Sequence, residues 1–252
     1  MSTPAVPAGE EELRRRAAAV DDELVALYPD ARCALIHDGP FQLLVATVLS
    51  AQTTDARVNT ITPTLFAEFP EPSALAAADR QGLEGLLRPL GMQRTRAERL
   101  LGLGRALTER FDGVVPDRRE DLMSLPGVGR KTANVVLGNA FGHSAITVDT
   151  HVGRLSRRLG WSKHKDPLKV EADIAAVWEP HRWTDGCHRL IEHGRRICRG
   201  HRGYPQAGGG GASGRWSVDY PTFSRFFAYD GLGRTVREID VFGPKNETPS
   251  PV

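Results

Sequence analysis

Cysteine is scarce in this sequence of 252 residues, which holds three of them, Cys33, Cys187 and Cys198. Three thiols cannot form a disulfide framework, so a disulfide-rich secreted scaffold is excluded and a reducing compartment is expected. Long apolar runs are missing too, because no stretch approaches the roughly 18 apolar residues of a membrane span. The acidic N-terminus carries neither the basic nor the apolar region of a secretory signal. The expectation is a cytoplasmic protein that does not bind membranes.

Lysine is also scarce, since only 5 of the 33 basic residues are lysine and none of them precedes Lys131. An arginine-rich chain that places a lysine there has reason to need an amine, because a guanidinium cannot act as a nucleophile. Basic charge is concentrated in residues 144–202, where 12 Lys and Arg stand against 7 Asp and Glu. This excess indicates an anionic partner such as nucleic acid, and the alternative is an ordinary solvated surface.

Apolar residues recur at helical spacing through most of the chain, beginning with the stripe from Leu13 to Leu27. Asp149 and Asp166 stand where the N-caps of two later helices are expected. Asp117 and Glu120 have the spacing of a capping box that opens a short helix. About ten helices and no convincing strand pairs predict an all-α fold.

The central motif is residues 125–133, which read Leu-Pro-Gly-Val-Gly-Arg-Lys-Thr-Ala between two short predicted helices. Its glycines let the backbone turn tightly and approach a partner closely. Their amides would lie at the start of the second helix, where an anion such as a phosphate binds well. A helix-hairpin-helix of this kind grips a nucleic-acid backbone without reading bases. The alternative is a plain turn between two helices, and the flanking Leu-Pro and Arg-Lys-Thr-Ala favour the functional interpretation. The residues expected to contact DNA in this way are Gly127, Val128, Gly129 and Arg130.

With this motif in view, the sequence resembles endonuclease III, of the helix-hairpin-helix (HhH-GPD) DNA glycosylase superfamily. The resemblance runs from about Phe41 to Cys198. Its landmarks are LSAQTTD at 49–55, LPGVGRKTAN at 125–134, VDTH at 148–151 and HGR at 193–195.

The resemblance implies the roles of two residues. In that family the lysine of the hairpin motif is the nucleophile and the aspartate of the Val-Asp-Thr-His segment is the catalytic carboxylate, so Lys131 and Asp149 inherit those roles. A neutral amine can attack the sugar and form a Schiff base, and a carboxylate stabilises the positive charge that the departing base leaves behind. The alternatives are a phosphate-binding surface lysine and a plain helix N-cap, and the second is compatible with catalysis.

Two further residues match family positions that contact the flipped-out site. Gln52 matches the glutamine that fills the hole left by the flipped nucleotide, and its alternative is a buried polar residue that bonds the loop backbone. Met92, after Gly91, stands where the family uses an apolar wedge, usually leucine, and its alternative is simple core packing.

The family's [4Fe-4S] cluster is expected to be absent. Its four cysteines are spaced C-x6-C-x2-C-x5-C after the His-Gly-Arg segment, and only Cys198 fits. The other three positions hold Pro205, Gly208 and Gly214. Genuine loss of the cluster and a frameshifted 3′ end both explain this, and an alternative reading frame encoding the cysteines would support the second.

The resemblance implies two helical lobes with the active site in the cleft between them, where Lys131 and Asp149 would face each other. The expected segments are an N-terminal helix at 1–32 that packs with the second lobe, a six-helix lobe at 33–143 containing the hairpin, the second lobe at 144–198, and a divergent Gly-rich and aromatic tail of unknown fold at 199–252.

The implied function is base-excision repair by a bifunctional DNA glycosylase and abasic-site (AP) lyase. Its expected substrate is double-stranded DNA with damaged bases, in particular oxidised pyrimidines, or abasic sites. We expect a monomer that acts at the bacterial nucleoid and needs no cofactor. One alternative is a catalytically impaired DNA-binding protein of the same fold. Another is a mismatch-adenine glycosylase, which Lys131 argues against because those relatives usually lack the lysine.

Overall fold

The computed structural model describes residues 8–197, and after them 225–229 and 235–240. Residues 8–197 are helical, which confirms the predicted all-α fold, and they contain eleven α-helices and two short 3-10 helices at Arg88–Leu90 and Pro180–Arg182. The α-helices are α1 (Ala8–Leu27), α2 (Pro40–Leu49), α3 (Asp55–Glu68), α4 (Pro72–Ala76), α5 (Arg80–Leu87), α6 (Gln93–Phe111), α7 (Arg119–Met123), α8 (Arg130–Ala140), α9 (Thr150–Arg158), α10 (Pro167–Val177) and α11 (Trp183–Arg196).

The chain divides into two compact units, Cys33–Thr147 and the combination of Met1–Arg32 with Val148–Val252. The first unit holds seven α-helices, α2 to α8, where the sequence led us to expect six over 33–143. Two of the seven, α4 and α7, have five residues each. The unit extends to Thr147; Ala145 lies in its hydrophobic core, and the Ile146 oxygen accepts from Asn134 Nδ2.

In the unit Cys33–Thr147, α2 lies at the centre of the core. Every residue from Leu43 to Leu49 is buried, which is what its continuous apolar run requires. Helix α6 packs closely on α4, and Gly104 allows this approach. A Cβ atom at Gly104 would lie 2.7 Å from the Ala76 nitrogen and 2.9 Å from the Pro72 oxygen. Any larger residue there would therefore force the two backbones apart.

In the other unit, α1 packs on α10 and α11 around a buried charge. Asp21 is 1% exposed and accepts from Arg182 at 2.8 Å and from Arg189 at 3.0 Å. The indole of Trp178 adds a bond from Nε1 to the Ala17 oxygen at 3.0 Å. Because a buried carboxylate is costly without partners, these bonds fix α1 to the C-terminal helices of its unit.

Helix N-caps show where local sequence decides the structure and where it does not. Asp149 and Asp166 cap α9 and α10, as predicted. The capping box predicted from Asp117 is wrong, because Arg118 is the N-cap of α7 and makes no side-chain cap bond. Packing holds this short helix instead, through Leu122, which is fully buried.

The tail beyond residue 198 was expected to have no identifiable fold. Two antiparallel strands, β1 (Arg225–Tyr229) and β2 (Thr235–Asp240), pair there with Arg225 opposite Asp240 and an irregularity between Ala228 and Tyr229. Each strand has only five or six residues, which is too short for an alternating pattern to stand out in the sequence. Among the described residues, no helix is both long and apolar enough to cross a bilayer.

Candidate active site

The hairpin of the central motif joins α7 to α8 through a turn at Gly127. This residue has a φ of +79°, in the left-handed region that favours glycine. A Cβ atom at Gly127 would lie 3.3 Å from Val48 Cγ1 and 3.3 Å from Arg99 Cδ. The left-handed backbone favours glycine at this turn, and the close neighbours leave little room for a side chain.

The hairpin is anchored by its apolar residues and exposes its backbone. Leu125 and Val128 are buried, and the Val128 amide donates to the Leu125 oxygen at 3.2 Å. Gly127 and Gly129 are exposed, and Gly129 is the N-cap of α8 without a side chain to satisfy the first amides of that helix. Such amides at a helix start are suited to binding an anion.

A buried asparagine fixes α8 against its surroundings. Asn134 is 1% exposed; its Oδ1 accepts from Arg119 Nε at 3.0 Å and its Nδ2 donates to the Ile146 oxygen at 2.7 Å. These bonds tie α8 to α7 and to the extended segment that precedes Asp149. The helix that carries Lys131 is therefore held on both sides.

Lys131 is the second residue of α8, and its side chain is exposed. An amine there stands beside the exposed amides of the hairpin, where a DNA phosphate would bind. This position is open to a substrate, as a nucleophile requires. A surface lysine that only binds phosphate would be exposed in the same way, so exposure agrees with both interpretations.

Asp149 is the N-cap of α9, and its carboxylate is held in place by the backbone. Its Oδ1 accepts from the amides of His151 and Val152, both at 2.8 Å. Both bonds end on the same oxygen, so the cap does not use Oδ2. The N-cap role and a catalytic role are thus compatible at this residue.

The start of α9 is packed tightly against α11. A Cβ atom at Gly194 would lie 2.7 Å from His151 Nδ1, and Arg154 donates to the Gly194 oxygen at 3.0 Å. These contacts explain the glycine of the His-Gly-Arg segment. They also fix the helix end that holds Asp149.

Gln52 and Met92 share an unusual backbone, since their φ angles are +59° and +47°. Both side chains are exposed, Met92 to 47%. Neither side chain is buried, which disagrees with the alternatives of a buried polar residue and of simple core packing. The roles of both residues toward DNA stay predictions. Both residues lie in the unit Cys33–Thr147, as do Lys131 and the hairpin, whereas Asp149 belongs to the other unit. That Lys131 and Asp149 face each other stays a prediction.

The side chains described, residues 9–197, contain no group of three or more His, Cys, Asp or Glu that could hold a metal ion. Cys198, the one residue that matches a cluster ligand, lies outside the described residues, as do Pro205, Gly208 and Gly214. Proline and glycine have no donor side chains, so the residues at these positions do not fit an iron–sulfur cluster.

One buried pair near the C-terminal end of α11 has shifted ionisation. Tyr28 Oη lies 3.1 Å from His193 Nδ1. Burial, with a smaller contribution from the charge of Arg154, lowers the pKa of His193 to about 4. Burial raises the pKa of Tyr28 to about 12. Both groups are therefore neutral at pH 7.

The shift at His193 predicts a pH-dependent stability. Because its pKa falls from 6.5 in the unfolded chain to about 4 in the fold, the unfolded state binds more protons between these values. The contribution of neutral His193 to the free energy of unfolding is fully present above pH 6.5. It is lost as the pH falls to 4, which lowers the free energy of unfolding by up to about 3 kcal/mol. Urea unfolding of the wild type and of His193→Gln, which cannot titrate, measures this. Parallel losses of stability in the two proteins would contradict it.

Comparison with known proteins decides the family. The profile described as HhH-GPD superfamily base excision DNA repair protein matches residues 45–180. The chain belongs to this superfamily. Endonuclease III of Synechocystis sp. is 51% identical to it over 176 residues, which span 69% of this chain and 80% of the relative. This HhH-GPD protein is thus a base-excision repair enzyme, a DNA glycosylase of the endonuclease III family.

Two solved structures relate this HhH-GPD protein to DNA. A non-covalent endonuclease III–DNA complex matches it with a TM-score of 0.72 at 42% identity, covering 75% of this chain and 89% of that one. A trapped covalent intermediate of endonuclease III with DNA matches with the same values. DNA as the binding partner agrees with the exposed hairpin backbone.

Sequence reasoning missed one residue of this HhH-GPD protein, Arg96. It lies on the apolar stripe of α6 with Leu100, Leu103 and Leu107, at spacings of four, three and four residues. All four are buried. A charged residue within an apolar stripe was the signal that could have found it, since buried charges need specific partners.

Proposed function

We propose that this protein is a bifunctional DNA glycosylase and AP lyase that removes oxidised pyrimidines from double-stranded DNA. The observation that carries the proposal is an exposed amine, Lys131, at the helix start of the DNA-gripping hairpin. Asp149 supports it with a carboxylate that the backbone holds in place. A relative 42% identical to this chain has been trapped covalently on DNA.

The proposed reaction begins with a base that leaves the duplex stack, since its glycosidic bond is otherwise out of reach. The bond breaks with its electron pair going to the base, and Asp149 stabilises the positive charge that develops on the sugar. The neutral amine of Lys131 forms a bond to C1′. The C1′–O4′ bond then breaks, one amine proton passes to O4′, and a protonated imine remains.

The imine then makes strand cleavage possible. It acidifies the C2′ proton, which passes to a proton acceptor. The electron pair left behind expels the 3′ phosphate by β-elimination. Water hydrolyses the imine and releases Lys131 as an amine. The net result is a strand broken on the 3′ side of the lesion.

The experiment is borohydride trapping on an abasic-site duplex, together with excision assays on duplexes that carry single oxidised pyrimidines. A covalent adduct and base release support the proposal. Binding to DNA with neither would favour the catalytically impaired DNA-binding protein. Adenine release from a mismatch without an adduct would favour the mismatch-adenine glycosylase.

We further propose that the protein acts as a monomer at the bacterial nucleoid, where its substrate is.

We propose in addition that the protein binds no iron–sulfur cluster. Four thiolates are needed, and three of the four ligand positions hold Pro205, Gly208 and Gly214. We expect purified protein to be colourless and to hold far less than one cluster of iron per chain. Iron analysis with a visible spectrum checks this, and about four irons per chain would contradict it.

The same loss has a consequence for DNA binding. Phosphate contacts must come from the hairpin and from arginines, so we expect binding that is weaker than the intact family pattern gives.

A further inference from the structure

Arg96 is a buried cation in the first turn of α6, with 3% of its surface exposed. Its Nε donates to the Gly91 oxygen at 2.9 Å, and one terminal nitrogen donates to the Ala51 oxygen at 2.8 Å. The other terminal nitrogen donates to the Leu49 oxygen. The acceptors come from two segments distant in sequence, and the planar fork of arginine suits such a set.

The placement of Arg96 is electrostatically unfavourable by itself. The first turn of a helix is the positive end of its dipole and disfavours a cation. Burial and the charge of Arg99 lower the pKa of the Arg96 guanidinium. The three charge-assisted bonds offset these costs. An arginine at this costly position is therefore explained by the carbonyl groups that its side chain holds in place.

Two of the carbonyls that Arg96 binds directly precede Gln52 and Met92, which are two of the three described non-glycine residues with left-handed backbone. Ala51 directly precedes Gln52, and Gly91 directly precedes Met92. The amide of Arg96 also donates to the Met92 oxygen at 3.0 Å. A left-handed backbone in a residue other than glycine is strained and persists only where its surroundings hold it. One side chain thus supports both strained turns.

We propose that Arg96 is a positioning residue that locks the Gln52 turn and the Met92 turn into one rigid element, and that this element sets how well the enzyme distinguishes a damaged site from intact DNA. The inference rests on the proposed function, in which Gln52 fills the space of the flipped nucleotide and Met92 wedges the duplex. Both side chains act on the same site of the DNA, so their relative placement matters. A preorganised pair also loses less conformational freedom on binding.

The test compares Arg96→Lys and Arg96→Met with Arg105→Met, which removes the same charge from an exposed position farther along α6. The probes are an intact duplex and the same duplex with a tetrahydrofuran abasic analogue, which cannot form a Schiff base. An adjacent 2-aminopurine reports unstacking. We expect the ratio of affinity for the abasic analogue to affinity for the intact duplex to fall about tenfold in both Arg96 variants. Most of the rise in 2-aminopurine fluorescence on binding should be lost as well. Affinity for the intact duplex should stay within about twofold, and Arg105→Met should keep the wild-type ratio.

A double-mutant cycle separates positioning from a general loss of structure. In a Gln52→Ala/Met92→Ala background, Arg96→Lys should not lower the ratio further, because the side chains that it positions are gone. A full additional loss in that background would overturn the proposal. Wild-type selectivity in Arg96→Lys would overturn it as well.

If Arg96→Met does not fold, the lysine variant carries the test, with its thermal unfolding as the control. Binding of the analogue needs no chemistry, so this result is independent of the lyase step. A wrong proposed function would show as missing adducts and missing base release in the wild type. A wrong inference would show as unchanged selectivity in the Arg96 variants.

Discussion

Replacing Lys131 with glutamine is expected to abolish the borohydride-trapped adduct, with a fall of at least about three orders of magnitude in strand cleavage. An amide cannot form a Schiff base, and the proposed reaction has no other nucleophile. The hairpin turn should be unaffected, because its geometry comes from Gly127, Leu125 and Val128. Adduct formation on an abasic duplex, measured by gel shift under denaturing conditions, checks the result.

Lys163→Gln is the matched control for Lys131→Gln, since it removes an exposed lysine from the other unit of the chain. It should keep wild-type adduct formation. The affinity of Lys131→Gln for the abasic analogue should stay close to that of the wild type. The slope of log affinity against log salt concentration should fall by about one phosphate contact at most. Persistent trapping in Lys131→Gln would mean that another lysine or the N-terminal amine is the nucleophile.

Replacing Asp149 with asparagine is expected to lower base excision by about two to four orders of magnitude. The substitution removes the charge that stabilises the sugar as the base leaves. It keeps an oxygen that can accept from the His151 and Val152 amides, so the free energy of unfolding should change little. Single-turnover excision from a lesion duplex and urea unfolding measure the two quantities.

Asp149→Ala provides the comparison for the cap. It loses both the charge and the cap, so it should cost about 1 kcal/mol of stability in addition to the loss of excision. Trapping on a preformed abasic site should suffer less than excision in Asp149→Asn, because no base has to leave there. Unchanged excision in Asp149→Asn would reduce this residue to a structural cap.

Local features of the site could be predicted from the sequence because they depend on neighbours in the chain. Asp149 and Asp166 cap their helices as expected, since an N-cap needs only a short polar side chain and the next few amides. The same reasoning was wrong at Asp117, where α7 is held by burial of Leu122 and needs no cap from its own side chains. A five-residue helix has little stability of its own, so packing determines its start.

Exposure could not be read from residue type at Gln52 and Met92. Each had a buried alternative in the sequence, and a methionine more often packs in a core. The structure exposes both, and each follows a residue whose carbonyl accepts a hydrogen bond from the buried Arg96. That arginine is 44 positions from Gln52 in the sequence, so no local pattern joins them.

The sequence by itself determined the helical class, the hairpin motif, the family and the identity of the two candidate catalytic groups. The helical class follows from periodicity and the hairpin from glycine spacing, whereas the family and the two catalytic candidates follow from the resemblance of short motifs to endonuclease III. All of these are local features of the sequence. Only the tertiary structure showed that the guanidinium of Arg96 donates hydrogen bonds to carbonyls of two segments distant in sequence. It also showed that the start of α9 is packed against Gly194. Such contacts depend on which segments meet when the chain buries its apolar surface. The physical reason is that burial joins residues by position in space, whereas a sequence pattern records only their order.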